Sequence, residues 1–113
     1  MLAKQGRLVK QKDFEKVFKR GRSFYSKFMG VRVFANQLEF NRFGIVISSK
    51  ISKKATLRNR LKRRLTEALR EVDHKLKPGL DVVLIALPGF LCQDYGEIGR
   101  ELAKVFSRLK LYK

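Results

Sequence analysis

Residues 80–87 read Leu-Asp-Val-Val-Leu-Ile-Ala-Leu, and apart from Asp81 every one is apolar. A strand with one wet face alternates apolar and polar residues, and this stretch does not. It is also far short of the roughly 20 apolar residues that cross a bilayer. It predicts a β-strand covered on both faces, which needs neighbours on either side. The rest of the chain can supply them. Leu57, Leu61, Leu65, Leu69, Val72 and Leu76 step by four and three, the stripe of a helix over about 56–75. Ile98, Leu102, Val105, Phe106 and Leu109 form a second stripe over 95–109. Phe14, Val17 and Phe18 mark a short helix ended by Gly21. Residues 26–35 alternate, with Phe28, Gly30, Arg32 and Phe34 on one face. Residues 42–50 read as the second strand of a hairpin joined through 36–41. The expected order is α-β-β-α-β-α, an α+β sandwich in one domain of 113 residues. Residues 1–9 are expected to form a basic, mobile arm ahead of it.

Charge is the second constraint. Residues 1–64 hold 19 Lys or Arg against three acids (Asp13, Glu15, Glu39), whereas residues 65–113 hold eight against seven. Solubility alone asks for a net charge of about 2–8, and this chain carries +17. Seven of the twelve residues 53–64 are Lys or Arg, and the first acid after them is Glu67. Cations at the start of a helix oppose its dipole and repel each other. A polyanion on the face away from the leucine stripe relieves both costs. The nine Phe and three Tyr add a second signal, because many fall among the early basic residues. Phe14 and Phe18 on the first helix, with Phe28, Arg32 and Phe34 on the strand, suit a platform for unpaired bases. Single-stranded RNA fits such a platform better than an A-form duplex.

Catalytic machinery is missing from the pattern. Cys92 and His74 each stand alone, so neither a disulfide within the chain nor a Cys/His zinc site follows. No Gly-rich phosphate loop occurs, and too few acids fall together for a two-metal nuclease centre. Asp13 reads as a helix-start residue and Asp81 as a strand-opening one. The absence of an apolar leader segment points to the cytoplasm.

These residues resemble a known family. "ATLRNRLKRRLTEALR" (55–70) is similar to the Arg-Asn-Arg helix of the bacterial ribonuclease P protein subunit. "DFEKVFKRGRS" (13–23), "FGIVISSKISKKA" (43–55) and the "DVVLIALPG" strand resemble the same family in the same order. The resemblance implies a fold like a domain of ribosomal protein S5 (domain 2), with a left-handed βαβ crossover. It implies an RNA-binding subunit that assists a catalytic RNA in removing the 5′ leader of precursor tRNA. The Mg²⁺ ions would belong to that RNA, with none bound tightly by the protein and no obligate protein partner. Catalytic-RNA contacts then fall to Lys53, Lys54, Arg58, Asn59, Arg60, Lys62 and Arg63. Leader contacts fall to Phe14, Phe18, Arg20, Phe28, Arg32, Phe34, Ser49 and Lys50. Some members carry an aromatic at the position of Arg32, so its contact with the leader is expected to be electrostatic. Two rival classes remain open at this point: a ribosomal-type or RNA-chaperone binder, and an autonomous nuclease.

Overall fold

The computed structural model describes residues 6–8, 10–26, 28–48, 50–51, 54–87 and 95–113. Among these residues three α-helices, α1 (Gln11–Arg20), α2 (Ala55–Val72) and α3 (Tyr95–Arg108), accompany four strands: β1 (Arg22–Tyr25), β2 (Met29–Ala35), β3 (Arg42–Ile47) and β4 (Leu80–Ala86). The α+β architecture agrees with the sequence, with one strand more than expected. β1 is only four residues long and pairs antiparallel with β2, Tyr25 opposite Gly30. Between them the Ser26 N–H donates to the Met29 carbonyl at 2.8 Å.

The sheet order is β1-β2-β4-β3. This corrects the expected hairpin, because β2 and β3 do not pair. β4 lies between them, antiparallel to β2 and parallel to β3. The reason lies in β4 itself: Val82, Val83, Leu84 and Ala86 are all fully buried, so the strand gains most at the centre. The 36–41 connection therefore steps over two strand spacings of about 4.8 Å each. α2 then carries the chain from β3 back to the parallel β4.

The two faces of the sheet are unequally covered. On one, α2 and α3 seal the main core around Met29, Val31, Leu65, Leu69, Leu84 and Phe106. Leu61, Leu65 and Leu69 are buried as the stripe requires, and so are Ile98, Leu102, Val105, Phe106 and Leu109. α3 ends with Lys110 at φ 59°, while the Leu111 N–H donates to the Phe106 carbonyl at 3.0 Å, a Schellman-type close. On the other face, among the described residues, only α1 and the N-terminal segment pack, through Val17, Val83 and Leu8. One ten-residue helix is too small to cover a four-stranded sheet, and this leaves part of that face exposed. The described end of the basic arm is docked: Leu8 is buried and its N–H donates to the Phe43 carbonyl at 2.8 Å.

Candidate nucleic-acid interface

α2 presents its cations outward. Arg58, Asn59, Arg60, Lys62, Arg63 and Arg64 are all exposed. Among the described residues none of these five cations forms an ion pair; Arg70, further along, bonds Glu67 at 2.8 Å. No acid occupies the first turn of α2, and no side chain caps its N-terminus at Lys54. At 100° per residue the group splits about the buried stripe. Arg58, Asn59, Lys62 and Arg63 border the cavities between α2 and β3. Arg60 lies on the other flank, one turn from Arg64, a cation the sequence reading does not select. Lys53 and Ser49 lie outside the described residues.

The second surface is the half-covered sheet face beside α1. Phe14 is half-buried, with its ring against β3 where Gly44 has no side chain; a Cβ there would meet Phe14 Cζ at 2.6 Å. Phe34 packs partly buried around Val17 and Val83. Phe18 is 38% exposed and Tyr25 47%. Between these two rings lies Arg32. Its Nη2 donates to the Phe18 carbonyl at 2.7 Å, its Nη1 to the Tyr25 hydroxyl at 3.2 Å, and its guanidinium sits 5.2 Å from the Phe18 ring centroid. Its Nε is buried without a partner among the described residues. Arg32 is thus engaged in holding two exposed rings and caps a carbonyl in the last turn of α1. Tyr25 is missed by sequence reasoning because β1 is too short to show alternation. The signal that could have found it is Gly30, whose bare backbone accommodates the Tyr25 ring.

Phe28 requires a correction. It precedes β2, is only 8% exposed and packs in the main core with Met29 and Val31. The alternation that put it with Arg32 and Phe34 does not extend through the turn. Arg20 is exposed on the last turn of α1, and Lys50 is exposed in the turn after β3.

Arg42 holds α1 at its distance from the sheet. Its Nε and Nη2 donate to the two carboxylate oxygens of Asp81 at 2.8 and 2.7 Å, and its Nη1 to Asp13 at 3.2 Å. Asn36 Nδ2 adds a bond to Asp81 at 2.8 Å. The Asp81 bonds, against some desolvation, raise the Arg42 pKa above its ordinary value. Asp13 and Asp81 are therefore parts of one ion network linking α1, β3 and β4. Among the described residues no three His, Cys, Asp or Glu converge on a common point. No described helix is long and apolar enough to cross a membrane.

The comparisons with known proteins agree with this geometry. Residues 2–110 match the family model described as Ribonuclease P. The chain is 40% identical over 108 residues to the ribonuclease P protein component of Synechocystis sp., across 95% of this chain and 87% of that one. The corresponding protein of Clostridioides difficile is 36% identical over 102 residues, 89% of each chain. The fold matches the ribonuclease P protein of Staphylococcus aureus with a TM-score of 0.86 at 26% identity, covering 96% of this chain and 98% of that one. For the Thermotoga maritima protein the TM-score is 0.81 at 31% identity, over 90% and 96%. An exposed cationic helix, an aromatic sheet face and a match running nearly end to end lead to one conclusion: this chain belongs to the ribonuclease P protein family, the protein component of a ribonucleoprotein endoribonuclease that processes the 5′ end of tRNA.

Proposed function

We propose that the chain uses two surfaces for this role. The outer face of α2, with Lys54, Arg58, Asn59, Arg60, Lys62 and Arg63 joined by Arg64, binds the catalytic RNA subunit. The α1–sheet face, with Phe14, Phe18, Tyr25 and Arg32, flanked by Phe34, Arg20 and Lys50, receives the single-stranded 5′ leader of precursor tRNA. The observation that carries the reading is the run of five exposed cations in seven residues, Arg58 to Arg64, without an ion pair among the described residues. Phosphates supply the counter-charge that the protein withholds, and such binding weakens steeply with salt. On the leader side, rings clamped by Arg32 offer faces for stacking, while Arg20 and Lys50 are exposed to meet the backbone.

The chemistry itself resides with the RNA. Mg²⁺ held by that RNA would supply charge neutralisation at its phosphates, and among the described residues of this chain no three His, Cys, Asp or Glu side chains come together that could hold the ion. This chain's cations lower the repulsion between two polyanions brought together. That favours precursor over mature tRNA and lessens the Mg²⁺ required. The protein accordingly works where the RNA subunit is, in the cytoplasm, and needs no second protein. The test is reconstitution with a bacterial ribonuclease P RNA at low Mg²⁺. Cleavage should need both components, Arg63→Ala should weaken assembly, and Phe18→Ala should weaken binding of precursor but not of mature tRNA. Equal enhancement of both tRNA forms would refute leader recognition. Cleavage by the protein alone would point to the autonomous nuclease.

A further inference from the structure

A cavity of about 650 Å³ opens between β3 and α2, with the N-terminal segment contributing Arg7 and Leu8. That volume lies within the range of about 300–1,000 Å³ typical of small-ligand sites. Its walls divide by chemistry. Leu8, Phe14, Phe43 and Ile45 supply an apolar floor. Leu8 and Phe43 are 4% and 3% exposed, so the core holds that floor in place. Arg7, Lys62 and Arg63 supply cations. Glu67, the one acid in the lining, is already engaged by Arg70. Asn59 borders both this cavity and a smaller neighbour of about 240 Å³. Its amide has no partner among the described residues.

Each wall fits one part of a nucleotide. An aromatic floor suits the face of a base, an amide that both donates and accepts suits a base edge, and cations suit a phosphate. A bare phosphate would leave the floor unused, and an apolar peptide would leave the cations unpaired. Bases inside a duplex cannot enter. We propose that this cavity receives one unstacked nucleotide of the RNA subunit. Its base rests on Phe43 and Ile45, its edge is read by Asn59, and its phosphate is held by Arg7, Lys62 and Arg63. This rests on the reading that α2 meets the RNA subunit, and it assigns a base-reading role to the one polar residue between Arg58 and Arg60 that carries no charge.

The test pairs a filled cavity with a lost cation. Thr66→Phe adds a ring to the lining without changing charge, and Lys62→Ala removes one phosphate contact. Affinity for a bacterial ribonuclease P RNA is measured against salt concentration, with melting temperature as the control. Thr66→Phe should lower affinity about tenfold or more at an unchanged salt slope, whereas Lys62→Ala should reduce the slope by about one. Should Thr66→Phe fail to fold, Asn59→Ala replaces it, with a loss of about tenfold expected. In amide NMR spectra, adenosine monophosphate should shift Leu8, Gly44 and Ile45, and inorganic phosphate should not. If the cavity variants bind normally while Lys62→Ala weakens binding, the cavity proposal falls and the α2 reading stands. If all bind normally, both fall. Identical shifts from phosphate and nucleotide would reduce the cavity to an anion site. A loss confined to precursor tRNA would make the leader its occupant, which equally overturns the proposal.

Discussion

Replacing Arg42 by alanine tests the account of how α1 is held over the sheet. Asp81 sits at the start of the central strand with its side chain 4% exposed, facing an Arg42 side chain 22% exposed. Removing the guanidinium deletes two bonds to Asp81 and one to Asp13. Among the described residues it leaves the buried carboxylate with Asn36 as its remaining side-chain donor. Breaking one side of a buried pair costs about 3–5 kcal/mol, most of it the uncompensated charge. An exposed pair would cost about 0–1 kcal/mol. For a domain of this size the larger figure lowers Tm by roughly 12–20 °C, and urea denaturation gives the free energy directly. Arg42→Lys should recover only part of the loss, since an ammonium cannot match the fork across both carboxylate oxygens. A loss below about 1 kcal/mol for Arg42→Ala would refute the reasoning and make the network a surface feature.

Three further outcomes are expected. Tyr25→Ala should reduce the preference for precursor over mature tRNA about 5–150-fold, the worth of one stacked base, while Tyr25→Phe keeps most of it; competition binding reads both. Gly79→Ala should destabilise the fold by about 1–3 kcal/mol in urea titration, because Gly79 has φ 82° and a Cβ would fall 2.8 Å from the Leu38 carbonyl oxygen. Burial raises the Tyr112 phenol above its ordinary 10.0, so folding favours the protonated form. That stability is complete below pH 10 and is lost as pH rises past 10 toward the folded-state value, so Tyr112→Phe should show a smaller decline there.

The helices and the central strand were legible in the sequence because each depends on local spacing. Leu61, Leu65 and Leu69 can share a face only on a helix, and 82–87 can be satisfied only when covered twice. The outward direction of the α2 cations follows from the same arithmetic. So does the aromatic character of α1, where Phe14, Val17 and Phe18 divide between core and exposed face. What local spacing does not carry is which strands pair. The chain passes from β2 to β3 through six residues, which favours a hairpin locally. Burial of β4 on both faces outweighs that preference and separates the two strands. The place of Phe28 depended on where a turn ended, and the role of Tyr25 on a glycine across the hairpin. Arg32 shows the difference most sharply. By sequence it is one more cation near RNA, but in three dimensions its Nη1 and Nη2 each donate to a neighbour, the Tyr25 hydroxyl and the Phe18 carbonyl. Sequence by itself determined which residues are apolar, which are charged and how they recur along each element. The tertiary structure alone decided which charges remain free, because hydrogen-bond partners such as Arg42 and Asp81 come from positions 39 residues apart.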